Sequence, residues 1–297
     1  MTERFLDLSE NPAHLNVRGA LLVVQAGADE QQEATVPLAE ISAVVASHPA
    51  VTLTLASLAR LAEAGVPLIV CDDRRMPTAM MLPLEGHTTQ AERFERQIAA
   101  SLPLRKRLWR DIVRAKVQAQ GRLLARVRGH DGGLERLAEK VLSGDTGNIE
   151  ARAARLYWPL LFGPDFVRRR DAEDQNRLLN YGYAVLRAAV GRAICASGLH
   201  PSLGLQHHNR YDAFRLADDL MEPLRPLVDE AVAALAEKEG AAVPLDARTK
   251  PALLAILTKR MKMGRERRAL PDALGHYAAS LADVFGGVRR TLAIPEA

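Results

Sequence analysis

Apolar positions change their period near residue 87. Before it, short apolar or alternating runs recur: Phe5–Leu8, His14–Val17, Ala20–Gln25, Thr35–Pro37 and Ile41–Ala46. Asn-Pro, glycine and acidic clusters separate them, which predicts short strands joined by turns. Arg18-Gly19 supplies a hairpin turn. Leu53–Ala64 switches to helical spacing and stops at Gly65, the residue type that best tolerates the left-handed position after a helix. Pro67–Cys71 (PLIVC) reads as a buried strand and Thr78–Leu84 as another, with Asp72 to Arg75 (DDRR) a surface turn between them.

Pro83–Thr89 (PLEGHTT) is the boundary, and beyond it the spacing is helical almost throughout. The expected helices are Ala91–Ser101, Leu104–Arg128 opened by Pro103, Leu134–Leu142, Ile149–Tyr157, Asn176–Ser197, Ala213–Met221, Leu227–Lys238, Lys250–Met263 and Asp272–Leu292. Gly129–Gly133 and Gly240–Pro244 break them, Pro223 and Pro226 kink them, and Phe166–Asp174 reads as a polar loop. In Asn176–Ser197 the small residues Ala184, Ala188, Gly191 and Ala196 permit close helix contact. The pattern is α+β in two domains, β-rich over 1–87 and helical over 88–297.

Composition narrows the class. Of the 297 residues, 48% are hydrophobic but only 4% aromatic, so aliphatic side chains and alanine must fill the cores. Two cysteines far apart, Cys71 and Cys195, form no metal or disulfide pattern and fit a reducing compartment. The start MTERFLDLSENPAH lacks a signal-peptide pattern, and no apolar run reaches the length of a membrane helix, so a soluble cytoplasmic protein is expected. There is no internal repeat, P-loop or glycine-rich nucleotide fingerprint. The net charge of +4 hides an asymmetry: residues 1–90 hold five Lys/Arg and eleven Asp/Glu, a net of −6, which leaves +10 for the rest. The excess concentrates in Arg93–Arg128 and Arg248–Arg268, which suggests a polyanion partner. Solvated helix faces rich in arginine are the plainer explanation.

Candidate chemistry gathers in Gly204–Pro226 (GLQHHNRYDAFRLADDLMEPLRP). His207 and His208 stand on a loop, and Asp212 is placed to cap the helix behind them. Phe214, Ala217, Leu220 and Leu224 make its core stripe, with Asp218, Asp219 and Glu222 off it. Clustered carboxylates repel unless a cation or proton lies between them. With a histidine nearby, the mixed donor set suits Mg²⁺, Mn²⁺ or Zn²⁺. On residues alone, a solvated acidic helix with two loop histidines is the favoured explanation of the stretch.

Three runs change that balance: GDTGNIEARAARLYW (Gly144–Trp158), QNRLLNYGYAVLRAAVGRAICASGLHPSLGL (Gln175–Leu205) and GLQHHN…F.LADDLMEPLRP. Together and in this order they resemble the CRISPR-associated integrase that inserts new spacers, the family numbered first among those proteins. The resemblance covers nearly the whole chain. It implies a small N-terminal β-sandwich that forms a homodimer interface, followed by a larger all-α catalytic domain. It implies an integrase and endonuclease that holds Mg²⁺ or Mn²⁺ through Glu150, His207 and Glu222. It further implies 3′-hydroxyl attack by a short captured double-stranded DNA on phosphodiesters of a CRISPR repeat, with a small partner protein of the same adaptation system. The compact length and the HH…LADDLMEP wording look most like members that accompany a single-protein RNA-guided effector.

His207 is preferred over His208 because the family's histidine follows a glycine by three residues, the spacing of Gly204 to His207. Asp219 could be a ligand or a supporting group, with Asp218 the less favoured candidate. The expected geometry has Glu150, His207 and Glu222 converging on one cavity with His208 outside it. Two other readings stay open: a structure-selective metal-dependent nuclease without integration, and a non-catalytic DNA-binding subunit.

Overall fold

The structure, a computed structural model, describes residues 4–27, 32–73, 77–83, 86–169, 172 and 174–297. Arg74 and Arg75 of the DDRR turn, part of the 83–89 boundary and part of the 166–174 loop lie outside the described residues.

The chain is mixed α/β. Strands β1 (Arg4–Leu8), β5 (Ile41–Ala46), β7 (Leu68–Cys71) and β8 (Pro77–Met81) form one sheet in that order. Strands β2 (Ala13–Arg18), β3 (Leu21–Ala26), β4 (Gln32–Pro37) and β6 (Thr52–Leu53) form a second, ordered β4-β3-β2-β6. Gly19, at φ +63°, turns the β2–β3 hairpin, in which Arg18 faces Leu21. Helix α1 (Leu55–Glu63) starts on Thr54, whose side chain accepts from Ser57 N–H. It ends with Gly65 N–H on Ala62 O and Val66 N–H on Leu61 O, the paired bonds that a left-handed glycine allows.

The central strands of the first sheet meet a core on each face, and the two-residue side-chain period sorts their residues. Val44 pairs with Leu68, and both join Leu15, Leu22 and Leu61 in a core shared with the second sheet. The next pair, Val45 and Ile69, faces the other way into the helical core. All six β5 residues are accordingly buried.

The helices follow: α2 (Gln90–Ile98), α3 (Leu102–Arg128), α4 (Leu134–Ala138), α5 (Ile149–Phe162), α6 (Gln175–Ala196), α7 (Arg215–Met221), α8 (Arg225–Glu239), α9 (Lys250–Leu254) and α10 (Leu270–Phe285). A 3-10 turn, Glu222–Leu224, joins α7 to α8 where Pro223 interrupts the helix. α6 lies centrally and packs on α7, α8, α9 and α10. α10 stops at Phe285 because Gly286 and Gly287 follow, short of the expected Leu292.

Two expectations need correction. Lys250–Met263 is not one helix. After α9, a 3-10 turn (Ala255–Thr258) ends at extended Lys259. Then β9 (Arg260–Met263) pairs antiparallel with β10 (Glu266–Ala269) around Gly264, at φ +62°. Charged side chains flank buried Met261, the alternation of a strand. The residues after 87 are therefore not all-α. The chain's end joins this hairpin, with Lys262 and Glu296 exchanging backbone hydrogen bonds at 2.8 and 3.0 Å.

The second correction concerns close packing along α6. A Cβ on Gly191 would meet only ordinary contacts, at 3.7 and 3.8 Å. A Cβ on Gly182 would lie 2.5 Å from Val228 Cγ1 on α8. Gly182→Ala is expected to lower unfolding free energy by about 1–3 kcal/mol through overpacking. Gly191→Ala should be neutral or stabilising by up to about 1 kcal/mol through helix propensity. Urea denaturation of both variants checks this, and equal effects would contradict it.

Candidate metal and nucleic-acid site

The run SGDTGN builds the start of α5. Asp145 and Asn148 adopt positive φ, at 49° and 50°. Asp145 Oδ1 accepts from Ile149 N–H at 2.8 Å and Oδ2 from Glu150 N–H at 3.0 Å. Asp145 thus caps the helix where Asn148 does not, and fixes Glu150 in the first turn. Below Glu150 on the same helix, Ala153 and Tyr157 are fully buried.

The three carboxylates around the α7–α8 junction are buried, at 6% exposure for Asp218, none for Asp219 and 3% for Glu222. They do not share a site. Asp218 takes a bidentate pair from Arg187 on α6, at 2.7 and 2.9 Å. Burial nevertheless pushes its carboxyl up to about 6. Asp219 gathers the histidine loop. Its Oδ2 accepts from Leu205 N–H (2.5 Å) and Gln206 N–H (3.2 Å), and its Oδ1 from His207 N–H (3.3 Å) and the His207 ring Nδ1 (2.7 Å). A Cβ on Gly204 would lie 2.8 Å from Arg215 Cβ and 3.0 Å from Asp219 Oδ2, so the loop closes only on glycine. Asp219 is thereby a support for His207. An ionised carboxylate only accepts, so Nδ1 carries the hydrogen and Nε2 is the ring nitrogen available to a ligand. The bond to Asp219 raises the His207 pKa against the effect of burial. Trp109 of α3 packs edge-on against the imidazole, with centroids 5.7 Å apart.

Glu222 points elsewhere. Its Oε1 accepts from Arg225 Nε at 2.9 Å, and its Oε2 lies 2.5 Å from Lys116 Nζ. The same ammonium lies 2.6 Å from Glu150 Oε1. Glu150 and Glu222, seventy-two residues apart in the chain, therefore meet at one cation. Burial raises the Glu222 pKa, but Arg225 and then Lys116 outweigh it and hold the carboxyl at about 2. Lys116 is raised, because attraction to Glu222 and Glu150 exceeds the desolvation that lowers it. His207 is close enough to Glu222 for each to stabilise the other's charged form.

The cavity of about 250 Å³ that His207 lines is also lined by His208, Arg105 and Arg215, and neither glutamate lines it. This differs from the expected single cavity with His208 outside. The two histidines share a loop without strand alternation, and Lys116 fills the space between the glutamates. Among the described residues no group of three His, Cys, Asp or Glu side chains is drawn together as a metal cage. The donors still fit an oxygen-preferring divalent ion. Two carboxylates already converge on one cation. Glu222 Oε2 is buried and accepts no hydrogen bond of good geometry. His207 turns Nδ1 to Asp219 and leaves Nε2 for another partner.

Lys116 and Arg225 are the residues that the sequence reading missed. The signal for Lys116 was its place among Ile112, Val113, Val117 and Gln120, all buried at helical spacing. Many basic residues expected to face a polyanion are already paired with protein groups, although their side chains stay partly exposed. Arg93 donates to Ser197 O at 2.7 Å, Arg126 pairs with Glu230, and Arg128 with Glu237 and the carbonyls of Leu160 and Leu161. Lys259 pairs with Glu230, and Arg268 with Glu266 and Asp272. Lys106, Arg114 and Arg265 are exposed.

Comparison with known proteins follows the same residues. The family described as CRISPR associated protein Cas1 matches residues 6–259. A protein named CRISPR-associated endonuclease Cas1, from Neisseria meningitidis serogroup C, is 37% identical over 300 residues, covering 100% of this chain and 97% of its own length. Among solved structures, a casposase bound to integration product superposes with a TM-score of 0.78 at 22% identity, covering 98% of this chain and 93% of that one. A Cas6-RT-Cas1–Cas2 complex matches with a TM-score of 0.76 at 18% identity, over 98% of this chain and 36% of that chain. At these identities the two structures show a shared fold. No helix among the described residues is long and apolar enough to cross a membrane.

Asp219→Ala leaves three loop N–H groups and the imidazole without their acceptor. It is expected to cost about 1–3 kcal/mol of stability and to make residues 204–211 the first segment cut in limited proteolysis. An unchanged cleavage pattern would show that Asp219 does not hold the loop.

Proposed function

The chain belongs to the Cas1 family of CRISPR-associated proteins, and we propose that it is a metal-dependent DNA integrase with endonuclease capacity. The observation that carries this reading is the meeting of Glu150 and Glu222 at one cation position, beside a histidine oriented by a buried aspartate. The endonuclease name of the Neisseria relative and the integration product in the casposase complex support the same chemistry.

Glu150 and Glu222 would hold Mg²⁺ or Mn²⁺, with His207 Nε2 as the third donor. When bound, such an ion offsets charge on a phosphodiester and makes an attacking hydroxyl easier to deprotonate. The protein's part is positional. Asp145 sets Glu150, Arg225 sets Glu222 and Asp219 sets His207. A 3′-hydroxyl of a short duplex then attacks a repeat phosphodiester, and one ester bond is exchanged for another. Double-stranded DNA would lie against the basic residues after 87. The β-rich residues 1–87 would form a homodimer, and a small partner of the Cas2 kind would assemble with it into a larger hetero-oligomer, in keeping with the Cas1–Cas2 complex of similar fold.

Two outcomes are expected with purified protein, short duplex DNA, a supercoiled repeat-bearing plasmid and Mn²⁺. Glu150→Gln and Glu222→Gln each reduce strand transfer to background, while DNA affinity stays within about threefold because phosphate contacts by Lys and Arg dominate it. His207→Ala abolishes transfer and His208→Ala does not. Cleavage without joined product would favour a nuclease without integration. The reverse histidine result would move the ligand role to His208. DNA affinity should also fall steeply with added salt and weaken in Lys106→Ala and Arg114→Ala; a salt-independent affinity would contradict the basic-surface assignment.

A further inference from the structure

We propose that the Lys116 ammonium is an internal counter-ion that a divalent cation must displace from between Glu150 and Glu222, so that this lysine sets the site's affinity for its ion. The inference rests on the metal-site reading above and deepens it. One ammonium touches carboxylates from two separate elements, at 2.6 and 2.5 Å, which is the relation required of a bridging ion. The site is closed on the Glu222 side and open to water on the other, with the side chains of Lys116, Glu222 and Glu150 13%, 4% and 29% exposed. Glu222 Oε2 is neutralised there by charge, without a well-directed hydrogen bond. An ion bound to both oxygens at about 2.0–2.6 Å would overlap Nζ, so the two cations exclude each other.

The two basic neighbours of Glu222 differ in how they can respond. Arg225 is fixed, with Nε on Oε1 at 2.9 Å and its guanidinium 4.6 Å over the Tyr183 ring. It stays and keeps Glu222 oriented. Lys116 is a point charge on a flexible four-carbon stem, and its backbone is held by buried Ile112, Val113 and Val117. Only its side chain has to withdraw. Without an ion, the lysine keeps two carboxylates together that would otherwise repel. With one, a single positive charge gives way to a double charge at the same place.

The test uses the full chain without DNA. Mn²⁺ binding is followed by calorimetry, and melting is measured in chelator and in Mn²⁺. Lys116→Met is expected to melt about 3 °C or more below the natural chain in chelator, to recover in Mn²⁺, and to bind Mn²⁺ about fivefold tighter or better, the scale of one close charge in a partly solvated site. A background with less repulsion guards against a variant that fails to fold: Lys116→Met/Glu150→Gln should bind Mn²⁺ tighter than Glu150→Gln alone. If the natural chain binds Mn²⁺, Glu222→Gln abolishes that binding, and removing the lysine tightens neither background, the counter-ion role is overturned and the metal site stands. If neither the natural chain nor Lys116→Met binds Mn²⁺, both readings fall.

Discussion

A carboxylate taken out of water must find a cation or several hydrogen-bond donors, and the end of α7 with the turn that follows it carries three such groups within five residues. Asp218, Asp219 and Glu222 cannot be compensated by the same neighbours. Each draws in a different part of the molecule: Arg187 from α6, the 204–207 loop with its histidine, and Lys116 from α3 together with Arg225. The site is the arrangement that satisfies all three demands at once. Its elements are fixed by desolvation as much as by apolar packing.

A second buried network sets the spacing between the two glutamates. Asp229 of α8 accepts from Tyr157 of α5 at 2.7 Å and from Tyr183 of α6. Burial raises the Asp229 pKa to about 6, and both phenols oppose that rise. Tyr157 lies on the helix that begins with Glu150. Tyr183 lies under the guanidinium that binds Glu222. Three helices are tied by polar bonds inside a largely apolar core. Such a network specifies one relative placement of α5 and α8, which apolar contacts alone leave free to slide.

The strands were legible because alternation and turn residues coincide. β1, β2, β3, β5 and β7 fall within a residue or two of their apolar runs, and Gly65 ends α1 as its type suggests. The Lys250–Met263 stretch was misread because Leu253, Leu254, Ile256, Leu257 and Met261 fit a helical face. The change to alternation at Arg260 spans only four residues before the turn at Gly264. Glu150, His207 and Glu222 were chosen through motif wording, since a lone glutamate at a helix start has no chemical signature of its own. Lys116 was hidden by its type: in a run of arginines and lysines it reads as one more solvated charge, although its apolar neighbours put it on the inner face. Asp219 could not be assigned from spacing, because i,i+3 shows which carboxylates share a helical face and not which groups arrive from elsewhere to meet them.

The charge asymmetry keeps its meaning even though many of its members are paired within the protein. An internal ion pair removes one base and one acid together, so pairing leaves the +10 excess of residues 91–297 unchanged. The long-range field that would draw a polyanion follows that excess. Local contacts to a phosphate would fall to the basic groups that are exposed and unpaired in the bonds described above, such as Lys106, Arg114 and Arg265. Attraction and grip are thus set by different residues. A basic side chain can add to that field while its charge is paired within the protein, as Arg126 and Arg128 do where they hold α3 against α8.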